Sequence, residues 1–267
     1  MKVQVKIVLS MLFLLILACD RPAIDRGGTG TGPGVELPEF DASSSESGGQ
    51  GGNVCGDSPS VSGQALTTDP GVAAILSSLS LGEKVDQMMG FEQGAEMFAT
   101  PDNEKAGIRG FKFRDGPRGV RLGGDTATCF PVPVARAATW DLDLEQRVGA
   151  AIAAEVRGLG HNCLLAPCIN TLRHPGWGRG QETYGEDPWF LGMMGIASVK
   201  GIQEHVPACV KHLACNNIED TRMTNNAVVD EQNLRENSTR QFEMVVKESD
   251  VAFGSAAYNK GNGDYCC

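Results

Sequence analysis

The sequence predicts an α/β fold in which strands and helices alternate between residue 68 and residue 267. Four short apolar runs are typical of buried strands, and each is followed by a polar loop: 107–113, 163–166, 208–213 and 251–257. Segments with apolar residues at helical spacing separate these runs, as in βα units. A (β/α) barrel and an open doubly wound sheet both fit this alternation. No Gly-x-Gly-x-x-Gly motif opens a helix after the first strand, which disfavours a dinucleotide-binding fold.

The first 67 residues have the composition of a targeting segment followed by a linker. Two lysines precede an apolar run from Ile7 to Leu17, which is too short for an ordinary membrane-spanning helix. The pattern predicts a signal peptide over residues 1–19, and its end, Ile-Leu-Ala-Cys, resembles a bacterial lipobox in which Cys19 is lipidated. Residues 20–67 are rich in Gly and Ser, which predicts a disordered linker.

These signals predict an exported chain. We expect a periplasmic or cell-surface lipoprotein that is held to the membrane by an N-terminal lipid anchor at Cys19. The alternatives are a secreted protein without the lipid and a chain that retains the apolar run as an anchor.

Local signals also mark the ends of the predicted helices. The segment Ser80–Glu83 has the pattern of a capping box at a helix start. Asp141 is in the N-cap position of a long helix that ends near Gly158. Two more helices are expected, over residues 188–204 and 231–248. Residues 130–135 are expected to form a loop or a short strand.

Composition excludes several classes of function. The net charge is −10 and basic residues form no cluster beyond the first six positions, so we expect no nucleic-acid partner. The nine cysteines lack the spacing of a zinc site, and no metal or organic cofactor is required. Export would permit disulfides, whose pairing the sequence does not define. Cys163 and Cys209 lie in apolar runs and are expected to be buried.

The stretch from Arg173 to Arg222 carries many polar groups. Arg179 lies in a Gly-rich loop after the second predicted strand, and Lys211 and His212 lie at the end of the third. In parallel α/β folds the carboxyl ends of the strands form the edge where ligands bind. A set of Arg, Lys, His and carboxylate groups suits a ligand with many hydroxyl groups.

Four motifs occur along the same part of the chain: DGPRGVR at 115–121, GRGQETYGEDP at 178–188, KHLACNN at 211–217 and AYN at 257–259. Their order and spacing resemble those of glycoside hydrolase family 3, the β-glucosidase and β-xylosidase family. The resemblance extends from about Leu79 to Cys267.

This resemblance implies a (β/α)8 TIM-like barrel whose strand ends bind the terminal non-reducing sugar in the −1 subsite. A ring of paired hydrogen bonds specifies a neutral sugar and strengthens in an oxocarbenium-like transition state. The matching positions imply that Asp115 and Arg121 contact the far hydroxyls of this sugar. Arg179, Lys211 and His212 would hold its other hydroxyls, with Arg222 in support, and Tyr258 would lie near the reacting face.

The resemblance also implies a subtype and a reaction. No second His follows Lys211 and His212, unlike the N-acetylhexosaminidase branch, so the glucosidase/xylosidase branch is favoured. The implied enzyme is an exported retaining β-glycosidase that hydrolyses terminal non-reducing β-D-glucosyl or xylosyl residues of oligosaccharides in carbohydrate catabolism. Ser255 stands where the family has Met, which we expect to alter the floor of the sugar pocket.

Other residues of these motifs allow two interpretations. Glu182, Glu186 and Asp187 could be acid/base groups, but loop salt bridges and a helix N-terminus that favours acids are the simpler interpretation. Trp177 could stack on a second sugar or pack within its loop.

The family's nucleophilic Asp and acid/base Glu are expected beyond Cys267, with the rest of the barrel and further domains of the same chain. A retaining glycosidase needs both carboxyl groups, roughly 5–5.5 Å apart. We therefore expect residues 1–267 to form a barrel that is incomplete at its C-terminal end and inactive by itself. The alternative function is that of a non-catalytic, membrane-tethered, sugar-binding lipoprotein.

Overall fold

The computed structural model describes residues 69–93, 96–121 and 126–267. The predicted signal peptide, the lipidation site at Cys19 and the linker lie outside the described residues. The helices are α1 (Pro70–Ser78), α2 (Leu81–Met88), α3 (Pro133–Ala137), α4 (Leu142–Gly158), α5 (Pro188–Ile202), α6 (Glu231–Asn233) and α7 (Arg240–Ser249). The strands are β1 (Phe91–Gln93), β2 (Glu96–Ala99), β3 (Lys112–Asp115), β4 (Cys163–Leu165), β5 (Cys209–Leu213), β6 (Asn226–Ala227), β7 (Phe253–Ala256), β8 (Lys260–Gly261) and β9 (Asp264–Tyr265).

Four parallel strands stand side by side in chain order: β3, β4, β5 and β7. β3 pairs with β4 and β5 pairs with β7. Parallel bridges between Leu164 and Ala208 and between Cys168 and Lys211 join β4 to β5. Helices α4, α5 and α7 lie in the connections between successive strands, which is the arrangement of a (β/α)8-type barrel. The structure thus confirms the predicted TIM-like α/β fold.

Side-chain alternation along these strands separates two clusters. Phe113, Cys163 and Cys209 pack together with Phe253 on one face. Leu164, on the opposite face of β4, packs in the larger cluster with residues of α4, α5 and α7. Successive side chains of a strand point to opposite faces. Asp115 and Lys211 each lie two residues after a member of the first cluster, so they stand on that same face at the carboxyl ends of their strands.

The predicted caps are present at three helices. Ser80 and Glu83 form a reciprocal capping box at α2. Asp141 accepts a hydrogen bond from the Leu144 backbone N–H (2.9 Å), and Asp187 accepts one from that of Phe190 (2.6 Å), so both aspartates cap their helices. The simpler interpretation of Asp187, as a residue of a helix N-terminus, is therefore correct.

Helix α5 packs closely on α4 through small residues. A Cβ at Gly201 would lie 2.0 Å from the carbonyl oxygen of Gln146, so the two backbones can approach only because no side chain intervenes. In the ranges 69–93, 96–121 and 126–267, no helix has both the length and the apolar content needed to cross a membrane.

Three segments differ from the prediction. Residues 133–137 form a helix rather than a loop or strand, because Pro133 occupies the first helical position, which its fixed φ favours. The first parallel strand starts at Lys112 rather than at 107, because Gly107 adopts φ +67 and ends a turn. The helix predicted over 231–248 is divided: α6 and α7 are separated by a π-helical turn at Leu234–Ser238.

Two antiparallel strands at the edge of β3 and a small separate sheet were not predicted. β1 and β2 form an antiparallel pair, and β2 pairs antiparallel with β3 at the edge of the parallel strands. β8 pairs with both β6 and β9. These strands have two to four residues, too few for a periodic pattern to be recognised in the sequence.

Candidate functional site

Asp115 and Lys211 form an ion pair between the carboxyl ends of β3 and β5. The Lys211 side chain is 5% exposed and that of Asp115 is 22% exposed, so the pair is largely withdrawn from water. Burial by itself raises the pKa of the Asp115 carboxyl. The charge and hydrogen bond of Lys211, with the charges of Arg179 and Arg121, outweigh burial and lower that pKa below its ordinary value of 3.8.

His212 contacts Arg179 from the neighbouring loop. The imidazole Nε2 lies 3.1 Å from Arg179 Nη1, and the ring is buried. Burial, followed by the charges of Lys211, Arg179 and Arg222, lowers the pKa of His212 well below 6.5. The imidazole is therefore neutral. Because a guanidinium can only donate, Nε2 must accept, and the ring proton is assigned to Nδ1.

Asn170 holds His212 in place. Its Oδ1 accepts from the His212 backbone N–H at 2.8 Å and lies 3.4 Å from His212 Nδ1, and its Nδ2 donates to the His212 carbonyl at 2.8 Å. Sequence analysis missed this residue. The available signal was a polar side chain shortly after the apolar run of β4.

Glu182 binds Arg179 through two hydrogen bonds. Arg179 Nε donates to Oε1 at 3.1 Å and Nη2 donates to Oε2 at 2.6 Å. Burial opposes the charge of the guanidinium, but the hydrogen bonds and charge of Glu182 raise the pKa of Arg179 above its ordinary value. The simpler interpretation of Glu182, a loop salt bridge, is correct. This pair orients Arg179 so that its third donor faces His212.

Arg222 and Tyr258 contact each other, and the charge of Arg222 also reaches His212. The Arg222 guanidinium lies over the Tyr258 ring, 5.4 Å from the ring centroid. Glu219 joins this pair to the loop after β4: it accepts from Arg222 Nη1 at 3.2 Å and from the Trp177 indole N–H at 3.2 Å. Trp177 is buried, which favours the loop-packing interpretation over stacking on a sugar. Glu219 was not predicted; an acid three residues before Arg222 was the available signal.

Arg121 and Ser255 complete the set of predicted positions. The Arg121 backbone N–H donates to the Asp115 carbonyl at 2.9 Å, and its exposed side chain is near enough for its charge to lower the Asp115 pKa. Ser255 of β7 is in register with Lys211 of β5, so the two side chains point to the same face. The expected effect of Ser255 on the sugar pocket stays a prediction.

The arrangement is suited to binding hydroxyl groups. Asp115, Glu182 and Glu219 each face a cation, respectively Lys211, Arg179 and Arg222. A general acid needs a raised carboxyl pKa, whereas that of Asp115 is lowered. Among the described residues, no group of three or more His, Cys, Asp or Glu side chains is placed to hold a metal ion. The site offers charged acceptors and donors in alternation, which match the hydroxyls of a polyol.

Acid is expected to destabilise the folded chain as the pH falls below about 6.5. The folded-state pKa of His212 is lower than the ordinary value of 6.5, so the unfolded chain binds this proton first. The stabilisation that neutral, buried His212 contributes is complete above pH 6.5. It is lost as the pH falls from 6.5 to the lower folded-state pKa of His212. Asp115, with its lowered pKa, adds a second loss below 3.8.

The measurement is the free energy of unfolding in urea as a function of pH, for the chain and for His212→Asn. The other three histidines are present in both proteins, so the difference between the slopes isolates His212. The variant should have the shallower slope just below pH 6.5. Equal slopes would contradict the assignment of a neutral, buried imidazole.

The fold and the site together define a (β/α)-barrel protein with a charged, polar edge at its strand ends. The chain belongs to glycosyl hydrolase family 3, because residues 50–266 match the model of the family's N-terminal domain.

Relatives and solved structures agree with this assignment. The chain is 39% identical over 199 residues to β-glucosidase B of Emericella nidulans, covering 73% of this chain and 23% of that protein. It is 36% identical over 207 residues to the thermostable β-glucosidase B of Acetivibrio thermocellus, covering 73% and 27%. The structure of β-glucosidase 3B from Thermotoga neapolitana in complex with glucose matches with a TM-score of 0.71 and 38% identity, over 73% of this chain and 30% of that chain. The chain thus spans about a quarter of the length of these curated relatives.

Proposed function

We propose that this chain supplies the terminal-sugar subsite of an exported retaining β-glucosidase that acts on terminal non-reducing β-D-glucosyl or xylosyl residues. In this proposal Asp115 and Arg121 bind the far hydroxyls of the sugar. Arg179, Lys211 and His212 bind the remaining hydroxyls.

One observation carries the proposal: two charged pairs from three separate segments converge at the carboxyl edge of the parallel strands. Asp115 is the last residue of β3 and Lys211 lies in β5, while Arg179 and Glu182 come from the loop after β4. Neutral His212 lies between the two pairs, within the electrostatic influence of both cations. A hydroxyl can donate to a carboxylate and accept from an adjacent cation, so each pair can bind neighbouring hydroxyls of one ring.

Glucose is expected to bind the chain, and Asp115→Asn is expected to weaken that binding by about tenfold or more, since a charge-assisted hydrogen bond is lost. The measurement is calorimetric titration with D-glucose and with D-xylose, which also ranks the two sugars. Asp187→Asn is a matched control, because Asp187 only caps α5. Equal affinity of the parent and Asp115→Asn would remove the basis of the proposal.

Residues 1–267 are expected to bind glucose without hydrolysing an aryl β-glucoside. The carboxylates of the site among the described residues are each engaged by a cation, and the pKa of Asp115 is lowered, whereas an acid catalyst needs a raised one. Release of the aryl alcohol is followed by absorbance, for the parent and for Asp115→Asn. Turnover by the parent would contradict this expectation, and its loss in Asp115→Asn at saturating substrate, where weaker binding is compensated, would show that Asp115 itself carries out chemistry.

The proposed export and membrane anchor rest on the N-terminal sequence. A basic start, the apolar run Ile7 to Leu17 and the lipobox-like end favour lipidation of Cys19. Metabolic labelling with a radioactive fatty acid should mark the parent and leave Cys19→Ala unlabelled. Label in neither protein, with the chain found in the medium, would favour plain secretion. A labelled chain that binds glucose but belongs to no active enzyme would favour the alternative, a non-catalytic sugar-binding lipoprotein.

A further inference from the structure

A second charged network lies behind the candidate site and is almost completely buried. Arg136 of α3 donates from Nε to Glu145 Oε2 at 2.7 Å and from Nη2 to Oε1 at 3.0 Å. The Tyr184 hydroxyl donates to the same Oε1 at 2.7 Å. Glu145 is 0% exposed and Arg136 is 4% exposed.

Arg136 also binds the backbone at both ends of one segment. Its Nη1 donates to the carbonyl of Pro131 at 2.6 Å, and its Nη2 donates to the carbonyl of Pro117 at 3.1 Å. Pro117 comes two residues after Asp115, and Arg121 lies between the two prolines. Arg136 therefore binds both ends of the segment that carries Arg121, and it does so two residues after Asp115.

Tyr184 connects the network to the other half of the site. It lies five residues after Arg179 and two after Glu182, in the loop that leads to α5. Its buried hydroxyl reaches Glu145 of α4 across this loop. Glu145 is thus the group at which the segment of Asp115 and the loop of Arg179 are joined.

Stability alone is a weak reason for such a network. Removing an ion pair from water costs about as much as the attraction returns, and well-packed apolar residues often do as well. Directional hydrogen bonds define the relative position of two segments more strictly than apolar packing does.

We propose that Glu145, acting through Arg136 and Tyr184, is a positioning residue that sets the placement of Asp115 relative to Arg179. This inference rests on the proposed sugar-binding function. Glu145 itself is 0% exposed, so it acts on the sugar only through the segments that it joins.

The test compares a variant that removes both hydrogen bonds of the Tyr184 hydroxyl with one that removes a single bond. Tyr184→Phe removes the bonds to Glu145 and to Ser198, whereas Ser198→Ala removes only the bond to Ser198 and leaves Glu145 bound. The readout is glucose affinity of the full chain, with circular dichroism as the check on folding. We expect about three- to tenfold weaker binding in Tyr184→Phe and an unchanged affinity in Ser198→Ala.

A spectroscopic readout separates positioning from a loss of stability. Because Arg179 lies against His212, a displaced loop should raise the NMR titration midpoint of His212 toward 6.5 in Tyr184→Phe. Arg136→Lys, which keeps the charge but loses the fork of donors, should do the same. The proposal is overturned if both folded variants keep the parent's midpoint and affinity.

Failure of the two proposals would look different. If the parent does not bind glucose, the proposed function fails, while a shifted His212 midpoint in Tyr184→Phe would still show that the network positions the loop. If the parent binds glucose and the variants bind equally well with an unshifted midpoint, only the positioning inference fails.

Discussion

Replacing Lys211 with methionine is expected to abolish glucose binding and to lower the free energy of unfolding by about 3 kcal/mol at neutral pH. The variant keeps the shape of the side chain but leaves Asp115 without its principal cation. A carboxylate that is largely buried then has to remain charged without a partner or take up a proton. Urea unfolding measures the stability loss, and calorimetric titration measures glucose binding.

The double variant Asp115→Asn with Lys211→Met separates the two effects. Removing both charges eliminates the unpaired carboxylate, so much of the stability should return, while glucose binding should remain absent. In Lys211→Met alone the Asp115 pKa should rise, so the loss of stability that Asp115 contributes below pH 3.8 should disappear. A single variant as stable as the parent would show that the pair is solvated, contrary to its 5% and 22% exposure.

The sequence was informative about this pair because its signals are local. Lys211 lies near the end of an apolar run and Asp115 follows another, and the carboxyl ends of parallel strands meet at one edge. The strand pattern therefore predicted Lys211 at this edge, and the family resemblance added Asp115 to the same set. The same reasoning found the capping residues Ser80 and Asp141, since a cap depends on a few neighbouring positions.

The partners that hold the site residues could not be found in this way. Asn170 is 42 residues from His212 and Glu219 is 42 residues from Trp177, so no periodicity within a helix or strand joins them. Their bonds depend on how two loops pack after the strands are in place. The buried bond between Glu145 and Tyr184, 39 residues apart, is of the same kind. Sequence patterns specify which edge carries the ligand, whereas tertiary packing specifies how its groups are oriented.

The division of the helix predicted over 231–248 has a similar origin. The apolar spacing of Leu234, Phe242 and Val245 suits one continuous helix. Instead Thr239 adopts φ −122, and its hydroxyl and backbone N–H both donate to the Leu234 carbonyl at 2.9 Å. The neighbouring Asn237 carbonyl accepts from Thr171 in the loop after β4 at 2.7 Å. A tertiary contact to the site loops thus accompanies the interruption, and propensity alone does not report it.

Replacing Gly116 with alanine is expected to lower the free energy of unfolding by about 2 kcal/mol and to weaken glucose binding by about tenfold or more. Gly116 follows Asp115 directly, and its φ is +156. A Cβ there would lie 2.0 Å from the carbonyl oxygen of Gly119, which is backbone and has no flexible end that could move away. The turn must therefore open, and it would carry the Asp115 carboxylate away from Lys211.

Gly254→Ala is the matched control, because Gly254 lies in β7, where an added Cβ would meet nothing within 4 Å. Its effect on stability should stay within about 0.5 kcal/mol, and glucose affinity should not change. Gly116 N–H also donates to Asp115 Oδ1 at 3.1 Å, so the turn orients the carboxylate as well as the backbone. Glucose affinity should therefore fall even under conditions in which Gly116→Ala is fully folded, where a loss of stability by itself would not lower it. Gly116→Ala with the parent's affinity would mean that Lys211 alone holds the carboxylate in place.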